Sequence, residues 1–547
     1  MSISPWKRFG LLLVPDQKEI KNIYLFAVFS GLIYLSVPLG IQAITNLIQL
    51  GQINASWILL VTIVIGSVAF SGLLQIQQLR ITELLQQKIF ARAAFDLTYR
   101  IPRIKEEELK GKSAPELMNR FFDTVSVQKG VSKILIDFSS AIVQMLFGMI
   151  VLAFYHPFYI IFSLVLVFAV IVFIRISFSR GLKSSLSESN YKYRTAHWLE
   201  EVARNKNSFK LLGNPELIMR RTNNEIDAYV KARDSHFKIL LSQYGLMILF
   251  KVLLIAGLLV IGGILVMEQQ MNIGQFVAAE IIILLIMNSV EKIVLSIESV
   301  YDVLTSLEKI GQVLDMELES DHGYKIDSTK DYFSFKLIDF IPSQPTTTPL
   351  NISISQNETH LIQSSDEMKS HQLIQVLSGF DTGKSGNLIV NNIPFSNLNV
   401  ENFRMNIGFV LSQDNLFDAT LLENITLGNQ QMFGKSFNKL LEILGLNEFI
   451  HSLPNGFETR ILLEENQLPD RIRHKIILAR NILLKPRLLI IENPSAYISL
   501  ATIDKVNLYI KENSAQTAVL IIENKLNYEL VNAIHYDLNE NGINQKN

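Results

Sequence analysis

The chain contains no cysteine, and this absence excludes several kinds of chemistry. None of its 547 residues is Cys, so disulfides, thiolate metal sites, thiol nucleophiles and an attached cysteine-peptidase domain are all excluded. An excess of basic residues is also lacking, since the net charge is -1 at pH 7. Nucleic-acid binding needs a positive surplus that neutralises phosphates. We therefore expect no nucleic-acid partner.

Charged residues as a whole are scarce. They make up 18% of the chain, against 49% hydrophobic residues, whereas charged residues are about a quarter of a typical soluble protein. A length of 547 residues also suggests more than one domain. The composition therefore predicts that part of the chain lies in a membrane.

Six long apolar stretches supply this membrane part. Each is near the ~20 residues that cross a hydrocarbon core, and they lie at about 22–46, 56–78, 134–155, 157–178, 239–266 and 273–298. The first follows a basic N-terminal segment, but it is too long for the core of a signal peptide and has no small-residue cleavage pattern. We therefore predict six spans.

The connections between the spans differ in charge. Short links after the first, third and fifth spans contain neither Lys nor Arg, whereas two long connections carry many, from Arg92 to Arg120 and from Arg180 to Arg233. Basic connections stay on the cytoplasmic side. We therefore predict that both long connections and both termini are cytoplasmic, in a multi-pass protein of a bacterial inner (plasma) membrane, and that the second to fifth spans continue as helices beyond the bilayer.

Each long connection contains a segment in which a helical pattern is broken and restarted. Residues 106–122 (EEELKGKSAPELMNRFF) and 206–222 (KNSFKLLGNPELIMRRT) both place a Gly and a Pro-Glu-Leu near the middle. A helix that breaks at Gly and restarts with Pro in the first turn of the following helix predicts a short transverse helix. These segments resemble the coupling helices of ABC exporters, which implies coupling roles for Glu116 and Glu216. Two ordinary helix-turn-helix bends are the alternative.

Two ionisable residues inside the spans are functional candidates, because charges are costly within a bilayer. Lys251 and Glu280 lie about 25 Å and about 12 Å from the outer turn, at a rise of about 1.5 Å per residue. We expect no direct pair between them. Lys251 either snorkels to the inner interface, which we favour, or contacts substrate. Glu280 is either a cavity-facing substrate contact or a partner in a helix–helix hydrogen bond.

The C-terminal half has a different pattern. Short strands alternate with helices from about Tyr332 to the end, which predicts an α/β domain whose strand ends carry the site. Residues 476–494 (IILARNILLKPRLLIIENP) resemble the stretch of ABC-transporter ATPase domains in which a helix ending in LAR precedes a strand ending in Asp-Glu. Glu492 stands where the family has its magnesium-binding Asp, and Asn493 where it has its general base.

The resemblance implies that catalysis is absent. An amide cannot accept a proton, so Asn493 removes base catalysis, and Asn524 falls on the position of the family's switch His. We expect no catalytic residues and no resident metal. ATP and magnesium enter as cofactors only if a vestigial site still binds them.

The phosphate loop implied by the resemblance is residues 363–371, QSSDEMKSH. In the motif GxxxxGK[ST], glycines let backbone N–H groups wrap the phosphates, while Lys neutralises charge and the hydroxyl holds magnesium. Here Gln363 and Met368 replace the glycines, and two acids lie between them. Lys369 and Ser370 remain as vestigial cofactor-binding residues, so we expect weak or absent ATP binding.

Two further motifs have opposite fates. Residues 407–428 (IGFVLSQDNLFDATLLENITLG) closely resemble the family's glutamine loop. Gln413 stands at the glutamine position and is the third vestigial binding residue. The family's LSGGQ falls on residues 468–472, LPDRI. That pentapeptide holds the partner's γ-phosphate with Gly amides at a helix N-terminus, and Pro469 has no N–H. We interpret Asp470 as an ordinary helix N-cap.

Together these segments resemble a type I ABC exporter half. We predict a polytopic α-helical membrane domain with six spans at residues 1–310, followed by a degenerate α/β P-loop-NTPase-like nucleotide-binding domain at residues 325–547. The family works as dimers, so we expect a dimer with itself or with an active ABC paralogue. Residues 119–124 (NRFFDT) resemble bacterial type I secretion exporters, which implies a periplasmic adaptor protein as partner.

Three functions are compatible with this resemblance. The first, which we favour, is an inactive ABC-exporter-like subunit with a structural or regulatory role in an export system. The second is an active ATP-driven exporter of peptide, protein, lipid or drug-like cargo that uses an atypical site, and the third is a channel or sensor on the same scaffold. The first is favoured because this chain would spoil both composite ATP sites of a dimer, through residues 363–370 and 468–472.

Overall fold

A computed structural model describes residues 3–49, 55–213, 215–327, 332–343, 348–461, 468–514, 516–524, 530, 532–539 and 542–546. The chain divides into two compact units, Met1–Leu318 and Glu319–Asn547. The first unit is helical and the second is built around β-sheets, in the order that the hydropathy predicts.

The first unit consists mainly of long helices. Their bounds are α1 Pro5–Leu13, α2 Gln17–Tyr34, α3 Ser36–Gln49, α4 Ala55–Arg100, α5 Glu106–Leu109, α6 Ala114–Met118, α7 Asp123–Tyr155, α8 Phe158–Arg204, α9 Lys206–Leu212, α10 Pro215–Gly257, α11 Gly263–Met267 and α12 Ile273–Leu314. A single π-helical turn, Leu258–Gly262, joins α10 to α11.

Five helical segments in the described part of the chain are long and apolar enough to cross a membrane: Pro5–Gln49, Ala55–Arg103, Ala114–Tyr155, Glu216–Met267 and Ile273–Leu314. They contain five of the six predicted spans. The remaining prediction, 157–178, lies in the continuous helix α8, several of whose side chains are outside the described set. As predicted, α4, α7, α8 and α10 extend well beyond a bilayer, with 46, 33, 47 and 43 residues.

The first predicted span, 22–46, lies within the candidate membrane segment Pro5–Gln49, but it is not one continuous helix. The structure divides this region at Leu35, where α2 ends and α3 begins. Pro38 explains the division, because a proline has no N–H and its ring clashes with the carbonyl four residues earlier. That carbonyl belongs to Tyr34, the last residue of α2.

The second long connection breaks and restarts as the sequence predicts. Helix α9 ends at Leu212 and is capped by Gly213. Gly213 has a φ of 62°, a left-handed conformation that glycine adopts without steric cost. Helix α10 then begins at Pro215, where the missing N–H needs no partner. In the first connection, α6 also has a Pro in its first turn.

Helices α7 and α12 pack along much of their length at the centre of the first unit, the membrane unit (Met1–Leu318). Their shared core includes Ala141, Ile282 and Ile286, each at most 1% exposed. Gly148 permits close approach, since a Cβ there would lie 3.0 Å from Cγ1 of Ile286. Small residues at such contacts are typical of helices packed within membranes.

The second unit combines strands and helices. Its strands are β1 Ser334–Ile341, β2 Leu350–Ser355, β3 Thr359–Ser364, β4 Ser385–Val390, β5 Ile393–Pro394, β6 Ile407–Val410, β7 Ala419–Thr420, β8 Arg460–Ile461, β9 Leu488–Glu492, β10 Ala518–Glu523, β11 Ile534–Asn539 and β12 Gly542–Gln545. Its helices are α13 Glu367–Leu377, α14 Val400–Met405, α15 Leu421–Thr426, α16 Lys435–Ile443, α17 Asn447–Ser452, α18 Asp470–Leu483 and α19 Leu500–Asn513.

A mainly parallel sheet organises this unit, in the strand order β12-β11-β3-β10-β9-β6. Only β12 pairs antiparallel within it. Successive side chains of a strand point to opposite faces, and β3 shows this directly. Leu361 joins one hydrophobic core and Ile362 joins the other. The sheet is therefore covered on both faces, and its strand ends are left to carry a site.

A core substitution tests this assignment. Leu361 is fully buried, so Leu361→Ala should lower the free energy of unfolding of the second unit by about 2–5 kcal/mol through lost burial and a residual cavity. Leu508 is 59% exposed, and Leu508→Ala should change it by less than about 0.5 kcal/mol. Pulse proteolysis of the purified chain in urea measures both. Equal losses would contradict the placement of Leu361.

Candidate functional site

A cavity of about 420 Å³ lies where four parallel strands end. The carboxyl ends of parallel strands share one edge of a sheet, which is where such folds bind ligands. The lining residues come from the segments that follow β3, β6, β9 and β10, and from α13. They are Glu367, Met368, His371, Ile374, Gln375, Phe380, Leu411, Ser412, Gln413, Glu492, Asn493 and Asn524.

The fold brings together most of the residues that the sequence singles out. Gln413, Glu492, Asn493 and Asn524 all line the cavity, with Met368 at the position of a phosphate-loop glycine. Sequence reasoning did not single out four lining side chains of α13 and the segment after it: His371, Ile374, Gln375 and Phe380. The spacing of Glu367, His371 and Gln375 was the available signal, because residues four apart share one face of a helix.

The segment at the phosphate-loop position is not an open loop. Strand β3 continues to Ser364 and α13 begins at Glu367, so the expectation of a loop over 363–371 is wrong. The cause is sheet pairing: Gln363 lies opposite Glu523 on β10 and Asp537 on β11. Only a two-residue connection remains between strand and helix, which leaves little backbone to wrap a polyphosphate.

An internal carboxylate caps the N-terminus of α13. Oδ1 of Asp366 accepts hydrogen bonds from the backbone N–H groups of Met368, at 2.9 Å, and Lys369, at 3.4 Å. Its Oδ2 lies 3.8 Å from Nζ of Lys369. Free N–H groups at a helix N-terminus are the usual anion site. Here the chain's own carboxylate occupies it.

Ser370 is also engaged within the protein. Its side chain is fully buried, and its hydroxyl contacts Oδ1 of Asn524 at 3.1 Å and the carbonyl of Asp366 at 3.3 Å. In the described part of the chain, neither Lys369 nor Ser370 lines the cavity. The two residues retained from the phosphate loop therefore contact protein groups rather than the cavity.

The strand-end residues are tied to their neighbours. Glu492 accepts a hydrogen bond at 2.7 Å from the backbone N–H of Ser412, which precedes Gln413. Asn493 has a φ of 46°, a left-handed conformation that Asn tolerates better than most residues. Its side-chain oxygen accepts a hydrogen bond from the N–H of Asn524 at 2.9 Å. Asn493 thus joins the ends of β9 and β10.

Two side chains of α18 fix the glutamine-loop segment, residues 407–428. Arg480 donates to the carbonyl of Asn424 at 2.6 Å and lies 4.7 Å from the ring centroid of Phe417. His474 lies 3.1 Å from the carbonyl of Ser412 and stacks on Tyr497 at 4.6 Å. Neither anchor is predictable from the sequence beyond its place on an apolar helix.

Helix α18 begins differently from the prediction. Asp470 is the first helical residue and not the N-cap, because Pro469 occupies the cap position and offers no side-chain hydrogen bond. The Asp470 carboxylate instead pairs with Arg473, at 3.0 Å. A carboxylate in the first turn still complements the helix dipole.

Burial sets the electrostatics around the glutamine-loop segment. It raises the pKa of Asp414, and the hydrogen bond from the Leu411 N–H and the nearby Arg480 only partly offset this effect. Burial also lowers the pKa of Arg480 and raises that of Tyr497. Desolvation disfavours the charged form of each group.

Within the described residues, no cluster of three His, Cys, Asp or Glu side chains could hold a metal ion.

The candidates in the membrane unit lie apart from one another. Nζ of Lys251 lies 2.5 Å from a carboxylate oxygen of Glu291 on α12, a partner that sequence reasoning missed when it favoured snorkelling. Glu280 is half-buried, and within the described residues no hydrogen bond or ion pair is found for it. Lys251 thus pairs with Glu291 rather than with Glu280.

The two coupling candidates are in different surroundings. Oε2 of Glu116 lies 3.2 Å from Nδ1 of His197 on α8, so this contact joins α6 to the long helix. Glu216 is exposed in the first turn of α10, where a carboxylate is stabilised by the helix dipole.

Comparisons with known proteins identify the membrane unit. Residues 21–290 match the family model described as the ABC transporter transmembrane region. A solved structure of a bacterial Atm1-family ABC exporter with ATP bound has a TM-score of 0.82 and 13% identity, covering 96% of this chain and 94% of that one. The chain thus has the architecture of a type I ABC exporter half-transporter, a helical transmembrane domain followed by an ABC domain.

Curated relatives are more distant in sequence. An uncharacterized ABC transporter ATP-binding protein of Bacillus subtilis is 24% identical, over 63% of this chain and 59% of its own. A putative export ATP-binding/permease protein of Rickettsia typhi is 25% identical, over 43% and 45%. An ATP-dependent permease of Candida albicans is 27% identical, over 32% and 27%. The chain spans less than two thirds of the length of these relatives.

The raised pKa of Asp414 predicts a pH dependence of stability. A carboxyl with a raised folded-state pKa stabilises the fold below its unfolded pKa, and this contribution is lost as pH rises from about 4 through the folded value. Asp414→Asn keeps an acceptor for the Leu411 N–H but cannot ionise. We expect the variant to lose less stability than the wild type between about pH 4 and about pH 7.

The matched control is Asp418→Asn, which changes a carboxylate that is 53% exposed and 2.9 Å from Arg460. Its pH profile should follow that of the wild type. Pulse proteolysis of the full chain at a series of pH values provides the measurement. Identical profiles for Asp414→Asn and the wild type would refute the prediction.

Proposed function

We propose that this ABC-exporter-like membrane protein does not hydrolyse ATP and acts as a structural or regulatory subunit of an export system. The observation that carries the proposal is the cap on α13. The N–H groups that would cradle a phosphate already bind the carboxylate of Asp366. A polyphosphate would have to displace this carboxylate and would be repelled by it at close range.

The strand ends support the same conclusion. The side-chain oxygen of Asn493 is occupied by the N–H of Asn524, and an amide cannot act as a general base. Glu492 remains a carboxylate, but one of its oxygens is held by the Ser412 N–H. The polar side chains facing the cavity are therefore mainly amides and acids, which do not favour a nucleoside triphosphate.

The second half of a composite site would also be lost. In the family, the partner chain's phosphate faces the start of the helix that corresponds to α18. That helix begins here with Pro469 at its cap and the Asp470–Arg473 pair in its first turn. A dimer of this chain with itself or with an active paralogue would therefore lack an intact ATP site.

The retained features point to a mechanical role. The glutamine-loop segment is anchored to α18 by the Arg480–Asn424 hydrogen bonds and by His474. The family uses this segment to receive the coupling helices. We infer that the ABC domain holds the membrane helices of a complex in a fixed arrangement. The likeness of residues 119–124 to type I secretion exporters suggests a periplasmic adaptor protein among its partners.

Nucleotide turnover tests the proposal. The purified chain, alone and with any co-purifying subunit, should show no magnesium-dependent ATPase activity and no saturable binding of a fluorescent ATP analogue. Lys369→Ala should leave both readouts unchanged, because Lys369 faces Asp366 rather than the cavity. Lys384→Ala is the matched control, since Lys384 is an exposed lysine that also precedes a serine.

The opposite outcome would identify an active exporter. Turnover that Lys369→Ala abolishes and Lys384→Ala preserves would show that the retained lysine serves a nucleotide. An intact exporter prepared in parallel verifies that the assay detects activity under the same conditions.

Glu280 provides a test within the membrane. A half-buried carboxylate without a partner among the described residues is costly in a span unless it serves a ligand or an assembly contact. We expect Glu280→Gln to change transport by the complex or the yield of the assembled complex. Glu268→Gln is the matched control, because it makes the same change in the exposed outer turn. Wild-type behaviour of Glu280→Gln in both assays would remove this residue from the candidates.

A further inference from the structure

A second cavity, of about 680 Å³, lies within the membrane unit between α1, α7, α8 and α12. Its lining is mostly apolar and aromatic, with one charged residue. The lining residues are Trp6, Phe138, Ile171, Ile174, Arg175, Phe178, Ser179, Ile297 and Val300. In the described part of the chain, no acidic residue lines it.

The depth of Arg175 places this cavity near one face of the bilayer. Arg175 lies 18 residues beyond the outer turn at Pro157, or about 27 Å at about 1.5 Å per residue. A hydrocarbon core is about 30 Å thick. Arg175 is therefore at the level of the inner headgroups, where tryptophans such as Trp6 are also enriched.

Arg175 has no anion beside it among the described residues. Within the described residues it has neither a carboxylate nor another hydrogen-bond partner. Lys251 pairs with Glu291, and Arg8 pairs with Asp315. An arginine that faces an apolar cavity at this depth is expected to bind an anion.

Helix α1, which forms one wall of the cavity, is held in place by specific contacts. The Arg8 guanidinium donates hydrogen bonds to both carboxylate oxygens of Asp315, one of them at 2.7 Å. It also lies directly against Gly311, where a side chain would collide with Cζ of Arg8. Trp6 packs on Phe178 with ring centroids 5.5 Å apart. The helix that carries Trp6 is therefore held against the cavity.

We propose that this cavity binds an anionic phospholipid of the cytoplasmic leaflet. The Arg175 guanidinium pairs with the lipid phosphate through its planar fork of N–H groups. An acyl chain lies along the apolar wall formed by Ile171, Ile174 and Ile297. The absence of lining carboxylates among the described residues and the position at headgroup depth select an anionic lipid over a neutral one.

Native mass spectrometry of the full-length protein tests the proposal. Detergent-purified protein is incubated with phosphatidylglycerol or with phosphatidylcholine of matched acyl chains. We expect phosphatidylglycerol to be retained preferentially, and Arg175→Gln to reduce its retention about fivefold, the factor that corresponds to about 1 kcal/mol for one basic residue near an anionic lipid. Arg175→Lys should retain part of the preference, because it keeps the charge without the fork.

Arg220→Gln is the matched control, because Arg220 is an exposed arginine at the start of α10 and is outside the cavity lining. It should leave retention unchanged. Three results would overturn the proposal: equal losses in Arg175→Gln and Arg220→Gln, competition by free glycerol phosphate that shows the site takes an anion without a chain, or a changed dimer fraction in Arg175→Gln with lipid retention intact. The last result would assign Arg175 to a contact with a second copy.

Discussion

The carboxylate of Asp366 occupies the start of α13, at the edge of the cavity formed by the strand ends. A helix N-terminus exposes N–H groups that need acceptors. Most nucleotide-binding folds leave that need to a phosphate, whereas this chain meets it with its own carboxylate. The cap also holds Lys369 nearby. The internal anion, the Asp366 carboxylate, thus takes the place that a ligand phosphate has in those folds.

The scaffold around the cavity remains intact. Parallel strands still end at one edge, and Asn493 and Glu492 connect those ends to the neighbouring segments. The side chains that would otherwise perform chemistry thus make contacts within the protein. These contacts are made between groups of the protein itself, so the strand ends are held in place without a ligand.

Periodicity and charge predicted the fold well, because apolar spans and strand–helix alternation are properties of long segments. The division of the first span at Leu35 was missed because one proline outweighed a continuous apolar run. The site was harder to predict. Motif alignment placed Gln413, Glu492, Asn493 and Asn524, but the pairing of Gln363 in the sheet, the cap by Asp366 and the Lys251–Glu291 pair depend on contacts between distant segments. No local pattern encodes such contacts.

The ion pair between Arg8 and Asp315 has a consequence for biosynthesis. Its two residues are 307 positions apart, so α1 leaves the ribosome long before the end of α12 exists. At about 5–20 residues per second, the interval is roughly 15 to 60 s. During that time α1 lacks its Asp315 partner, although Phe178, on which Trp6 packs, is synthesised earlier. The maturation of the membrane unit is therefore complete only when the chain's beginning meets the last turn of its final long helix.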